Sequence, residues 1–233
     1  MKRLIDLVVS LMALLVLALP FLVIMLILRF TGERKVWYRQ ERVGLGGEHF
    51  KVYKFVTMLE NSENIGSKDI TVRNDPRVMP VGKILRKTKI NELPQILNIT
   101  NGTMSLVGWR PLVPAGFAEY SEEIQTSITK VKPGLTGIGS VVFRDEEAIV
   151  TEAGRQGKDL RACYREDIMP YKGALELWYI KNYSLWLDFK ILFTTAYVVL
   201  RPNSHAYKRW FQGLPKPESP LVQQHAGYTS DVS

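Results

Sequence analysis

The chain has 233 residues, 46% of them apolar, and its 31 Lys and Arg outnumber 23 Asp and Glu for a formal charge of +8. That composition excludes disorder of the whole chain, and the length suits one domain with an appendage rather than two full domains. One cysteine, Cys163, and three scattered histidines, His49, His205 and His225, exclude an intrachain disulfide and a Cys-rich zinc site. They leave no ready material for a His-based metal cluster or a Ser-His-Asp triad.

Residues 7–28 carry no charged side chain in 22 consecutive positions. As a helix rising about 1.5 Å per residue this run reaches roughly 33 Å, enough for a bilayer core. It is longer than the apolar stretch of a cleaved signal, and no small-x-small site follows Leu28, so a retained membrane anchor is expected. Pro20 predicts a bend. Lys2 and Arg3 precede the run, and Arg29, Arg34, Lys35, Arg39 and Arg42 follow it. Basic flanks favour the cytoplasmic side, so two arrangements are open: a re-entrant helix that enters and leaves by one face, or a single span with its heavier C-terminal cluster inside.

Beyond the anchor, Val36–Arg39 and Phe50–Phe55 read as strands around a Gly-rich turn, Gly44–Gly47. Residues 60–75 read as polar loop. Pro80 opens a short basic helix, and a second helix carries Asn91, Glu92 and Pro94 in its first turn and an apolar face at Ile96–Ile99. Residues 101–116 read as loop, 117–130 as helix, and Val141–Phe143 as part of a Gly-rich loop or strand after Lys132-Pro133-Gly134. Residues 160–182 form helical pieces broken at Pro170. In Tyr183–Leu200, Leu185, Phe189, Leu192, Ala196 and Val199 make one apolar stripe, approached by Trp178, Tyr179, Tyr183 and Trp186. A helix lying in the membrane interface and a packed core helix both fit it. Cys163 reads as an inert core thiol. Prolines from Pro215 onward predict a disordered tail over 213–233.

Charge concentrates in residues 68–110, where Lys68, Arg73, Arg77, Lys83, Arg86, Lys87, Lys89 and Arg110 face only Asp69, Asp75 and Glu92. A polyanion partner follows; with no aromatic interleaving and a membrane anchor, phosphorylated substrates or anionic headgroups fit better than nucleic acid. The basic run ends at a helix N-terminus formed by Asn91-Glu92-Leu93-Pro94, where free amides and the helix dipole favour phosphate. Arg86 is suited to clamp phosphate oxygens, and Glu92 to hold a Mg²⁺ that bridges a diphosphate. These are parts of phosphoryl transfer.

The runs RQERVGLGGEHFKVYKF, NDPRVMPVGKILRKTKINELPQILNI, MSLVGWRP and KPGLTG, with Lys2-Arg3-x-x-Asp6 before them, resemble the bacterial sugar transferase family, the monotopic phosphoglycosyl transferases. The resemblance implies transfer of a sugar-1-phosphate from a nucleotide diphosphate sugar, preferably UDP-linked, to a polyprenyl phosphate such as undecaprenyl phosphate. It implies the cytoplasmic face of the bacterial inner membrane, and a start to exopolysaccharide or O-antigen assembly. It implies an α/β, mostly helical fold: a re-entrant membrane helix over 1–35, a small catalytic domain over 36–212 with an interfacial helix near 183–200, and the tail. Lys54 resembles a family position near the phosphates. Oligomeric state is open, a homo-oligomer included.

Four positions depart from the family pattern. Asn91 stands where the family carries a nucleophilic Asp, and an amide cannot serve that covalent route. Thr103 replaces an Asp, Val56 an Arg and Trp109 a Pro. Three readings follow: an active enzyme with Glu92 as nucleophile or metal ligand, or with direct attack by the lipid phosphate, and Arg86, Arg77 and Arg110 on phosphates; a catalytically silent relative that binds a lipid phosphate or a partner; and a non-enzymatic lipid-binding module. Asp145 and Glu146, in the loop Arg144–Glu147, are candidates for a replacement carboxylate. Asp75 either binds metal or starts the NDPR turn.

Overall fold

The computed structural model describes residues 1–64, 70–201 and 204–228; Lys68 and Asp69 of the basic window lie outside them. Helix α1 (Lys2–Phe30) runs through Pro20 without a break. It is long and apolar enough to cross a membrane, and only 11% of its most apolar window is buried by the rest of the protein. Its polar contacts gather near its start, and its apolar contacts run from Leu14 to Leu28. Near the start, Asp6 accepts hydrogen bonds from Ser105 Oγ at 2.9 Å and Leu106 N at 3.1 Å. Lys2 Nζ donates to Val107 O at 2.9 Å and pairs with Asp188. Arg3 donates to Thr100 O at 2.8 Å. Toward the other end, Phe21 and Leu28 pack with Phe55 and Leu85, the rings of Phe21 and Phe55 meeting edge-on at 5.4 Å.

Strands β1 (Trp37–Val43) and β2 (His49–Phe55) form an antiparallel hairpin, in register from Trp37↔Phe55 to Val43↔His49. Gly46 (φ 68°) and Gly47 (φ 82°) make the turn, a left-handed pair that side chains with a β-carbon adopt at a cost. Helix α2 (Pro80–Lys87) starts on its proline, as expected. A tight 3₁₀ turn, Ile90–Gln95, then feeds α3 (Ile96–Asn101). Strand β3 (Ser105–Val107) pairs in parallel with β4 (Gly134–Thr136), and α4 (Pro114–Phe117) and α5 (Glu122–Ile128) lie between them in the chain. The two backbones touch at Gly108 and Gly134: a β-carbon on Gly108 would stand 2.4 Å from Lys132 O. The rest is helical: α6 (Ile138–Val142), α7 (Glu146–Arg155), α8 (Leu160–Cys163), α9 (Met169–Lys181), α10 (Leu185–Leu200), α11 (Tyr207–Trp210) and α12 (Pro220–His225). The described residues are mostly helical with two small sheets. Its main core joins Ile99, Met104, Ile138, Ile149, Ile168 and Leu175.

Several expectations need correction. Residues 101–116 contain β3 and α4, and Val141–Phe143 closes a helix, because burial at Val141, Val142 and Phe143 outweighs their strand preference. Over the described residues the tail is not disordered: Leu221, Val222 and Ala226 are buried in the main core, and Pro220 starts α12 instead of preventing it. Helix α10 packs through Leu187, Ile191 and Val198. The expected stripe of Leu185, Phe189, Leu192, Ala196 and Val199 lies on its other, more exposed side, with Trp186 at 76% and Phe193 at 64% exposure. The helix therefore packs on the core by one face and offers apolar side chains outward by another. Cys163 is a buried free thiol, pushed up to about 11 by burial, as an inert core thiol would be.

Candidate functional site

The face of the hairpin that carries Tyr38, Gln40 and Arg42 also carries Lys54, since strand neighbours two apart share a face and Tyr38 pairs with Lys54. That face, the turn Ile90–Gln95 and the segment after β3 enclose an open cleft of about 2170 Å³. Polar side chains including Arg42, Lys54, Asn91, Glu92 and Arg110 line it, and Leu192, Ala196 and Val199 of α10 supply an apolar wall.

Glu92 is the centre of the polar wall. Arg110 Nη2 donates to its Oε1 at 2.8 Å and Nη1 to its Oε2 at 3.3 Å, while Lys54 Nζ stands 3.9 Å from Oε1. Burial alone would raise this carboxyl, but the charges of Arg110 and Lys54 outweigh it and hold Glu92 well below the usual carboxylate range. Arg42 donates to Pro111 O at 2.9 Å, and its Nε is buried without a partner. Burial and then Arg110 lower Arg42 to about 10; burial and then Arg42 push Lys54 well below its ordinary value. Three half-buried cations thus gather around one carboxylate, with Gln40 Oε1 also accepting from Arg42 and, at 3.4 Å, from Lys54. Like charges held this way raise the free energy of the folded chain unless an anion joins them.

Asn91 is 6% exposed, and its Oδ1 is buried, unpartnered and on the cleft. The other expected residues divide. Arg86 lines the cleft and pairs with Glu147. Glu146 lines it too, paired with Lys172 at 2.6 Å, whose charge outweighs burial and lowers the carboxyl. Asp145 lies at the surface on Arg73. Arg77, expected on phosphate, is turned elsewhere: its Nε and Nη2 bind Asp75 at 2.9 and 2.6 Å, and Nη1 and Nη2 donate to Ser62 O at 2.8 Å and Ile70 O at 2.9 Å. Asp75 is correspondingly a fold-holding partner, 3% exposed, that ties down the loop before α2.

Sequence reasoning missed Arg42, which was read as flanking charge, and Lys172 and Glu176, which lay in a segment read only for its helices. Strand alternation was the available signal for Arg42, because it puts that residue on the face of Lys54. Two departures from the family pattern have structural occupations. Trp109 is fully buried, its Nε1 donating to Val131 O at 2.9 Å. Thr103 Oγ1 closes a turn on Asn101 Oδ1 at 2.9 Å and Asn98 O at 3.2 Å. Val56 is buried at the cleft wall.

The donors suit Mg²⁺ only as a companion of a bound diphosphate. Asn91 Oδ1 is an orphaned hard oxygen beside Glu92, yet among the described residues no group of three or more His, Cys, Asp or Glu could cage an ion.

Residues 1–202 match the bacterial sugar transferase family. The chain belongs to that family. Curated relatives include an undecaprenyl-phosphate galactose phosphotransferase of Salmonella typhimurium, 34% identical over 86% of this chain. A UDP-glucose:undecaprenyl-phosphate glucose-1-phosphate transferase of Klebsiella pneumoniae is 36% identical over 84%. This chain spans about 40% of the length of those two, but 83% of the exopolysaccharide production protein ExoY of Rhizobium meliloti, 31% identical over 83% of this chain. In the sugar transferase fold seen here Arg77 belongs to the scaffold. Arg77→Met is expected to lower stability by about 3–5 kcal/mol by stranding the Asp75 charge, read by denaturant titration in detergent. An unchanged midpoint would return Arg77 to the list of ligand-binding residues.

Proposed function

We propose that this sugar transferase moves a sugar-1-phosphate from a UDP-sugar to a polyprenyl phosphate, undecaprenyl phosphate in kind, and so starts the assembly of a polysaccharide or glycoconjugate. The observation that carries the reading is the half-buried surplus of cations around Glu92, on a cleft that apolar side chains of α10 also line. A diphosphate supplies the missing negative charge, and the apolar wall of α10 suits the first units of a lipid chain.

In the reaction, an oxygen of the lipid phosphate attacks the sugar-bearing phosphorus, the bond to the bridging oxygen breaks, and UMP leaves with that electron pair. Arg42, Lys54 and Arg110 stabilise the charge that spreads over the phosphoryl oxygens, and being fixed in place they need no reorganisation as the step proceeds. Glu92, held through both oxygens by Arg110, orients that guanidinium; this favours direct displacement over an ester on Glu92. Asn91 Oδ1 and Glu92 would hold Mg²⁺ on the diphosphate, where the ion would add further charge neutralisation. Arg86 extends the phosphate contacts from α2.

A second reading, a silent relative that binds the lipid phosphate, draws support from the amide at position 91. Turnover of a UDP-sugar panel with undecaprenyl phosphate and Mg²⁺ separates the two. Wild type is expected to release UMP and form lipid-diphosphate-sugar with no phosphosugar retained on the protein, and Glu92→Gln to lower kcat about 100-fold. Turnover in Asn91→Asp alone would establish the silent reading, and label retained on Glu92 would end direct displacement.

The anchor is read as re-entrant, on the cytoplasmic face of the bacterial inner membrane. Its support is that both parts of α1 bind one body: Lys2 and Asp6 on Val107, Asp188 and Ser105, and Leu28 beside Phe55 and Leu85. A straight crossing of about 30 Å of hydrocarbon would separate the first set from its partners. Single cysteines at Met1 and Glu33 are expected to react with an impermeant maleimide only when the cytoplasmic face is open. Labelling of position 1 from the opposite face would refute the re-entrant arrangement.

A further inference from the structure

The mechanism above leaves unused a buried carboxyl on the cleft. Glu176 on α9 is 2% exposed and lines the cleft. Its Oε1 accepts a long hydrogen bond, 3.4 Å, from the backbone N–H of Arg110, while its Oε2 is buried with no partner. Ser140 Oγ, on α6 and also lining the cleft, is likewise buried and unpartnered. Room for the carboxyl is made at Gly139, where a β-carbon would stand 2.5 Å from Glu176 Oε1.

Buried polar atoms without partners cost about 1–3 kcal/mol each and are kept where a ligand completes them. Here they lie in the same cleft as the cations. Arg110 fixes the scale, since its guanidinium holds Glu92 and its backbone N–H holds Glu176. The two carboxyls are therefore separated by one arginine side chain, comparable with the reach from an anomeric phosphate to the far hydroxyls of a hexose. Among the described residues no cation forms an ion pair with Glu176; the neighbouring Lys172 is engaged by Glu146.

We infer that Glu176 and Ser140 form the sugar-reading end of the cleft, hydrogen-bonding ring hydroxyls of the UDP-sugar whose diphosphate sits on Arg42, Lys54 and Arg110. The inference rests on the proposed function and assigns it a specificity site. A carboxyl takes hydroxyl donors on either oxygen, and a serine hydroxyl both gives and accepts. Burial raises Glu176 to about 7, so near neutral pH it is present both as acceptor and as donor.

Calorimetric titration of the full-length protein in detergent, with UDP and separately with UDP-glucose, UDP-galactose and UDP-N-acetylgalactosamine, isolates the sugar's share of binding without needing turnover. Wild type is expected to bind one of the UDP-sugars at least about tenfold tighter than UDP. Glu176→Ala and the volume-conserving Glu176→Gln are expected to erase most of that difference, and Ser140→Ala part of it, with the Kd for UDP unchanged within about twofold. Retention of the wild-type difference in both Glu176 variants would overturn the inference, as would equal weakening for UDP and UDP-sugars in Glu176→Gln, the mark of a merely structural role. Wild type that binds UDP without distinguishing any sugar would also overturn it. Absence of UDP binding would instead strike the underlying function.

Discussion

One half-buried carboxylate in this protein stands among three cations. Glu92 holds Arg110 through both oxygens and has Lys54 and Arg42 close by, so this part of the cleft carries an excess of positive charge, its other acceptor being the neutral amide oxygen of Gln40, which takes hydrogen bonds from Arg42 and Lys54. A chain that folds around such an excess gives up stability in the free state. That energy is recovered when a polyanion binds, which is why the cluster reads as a phosphate site and not as a structural ion pair. Contrast Asp75 and Arg77, a one-to-one buried pair whose remaining donors go to backbone carbonyls. The second is fully buried and balanced in charge; the first is half-buried and carries more cation than anion.

The same few elements place that cluster and fasten the membrane-length helix to it. The hairpin presents Arg42 and Lys54 from one face, the tight turn after α2 presents Asn91 and Glu92, and the close approach of Gly108 to β4 sets the segment that brings Arg110 across to them. Helix α1 is fastened to the same elements: Asp6 caps the Ser105–Leu106 backbone two strand residues before Gly108, and Phe21 packs on Phe55 at the end of β2. The membrane helix is thus part of the frame that holds the site, and α10 closes the far side with apolar side chains.

Much of this was legible beforehand, and the failures are instructive. The apolar run, the hairpin and the basic helix opened by Pro80 are local signals, set by hydropathy, turn glycines and proline chemistry, and they emerged near the expected bounds except that β1 runs on past Arg39 to Val43. The site was only half legible. Spacing located Asn91, Glu92 and Arg86, but which cations meet Glu92 depends on how far-apart segments pack. Arg42 counted as a flank because membrane flanks attract basic residues, and Arg77 counted as a ligand because it sits in a basic window. Neither the lone Oε2 of Glu176 nor the helix at 220–225 had a local signature; the first is a matter of what is absent around it, and prolines concealed the second.

The central claim is that the free cleft holds more cation than it can keep charged, and that diphosphate corrects this. Its most direct test is calorimetric titration of UDP over a series of pH values in two buffers of different ionisation enthalpy, on wild type and Lys54→Met. Lys54 is depressed in the free protein, so a bound diphosphate raises it and draws a proton from solution. The account predicts net proton uptake by the wild type, lost in Lys54→Met together with about a tenfold weakening of UDP. Binding of equal strength in both proteins, with no proton taken up, would contradict it.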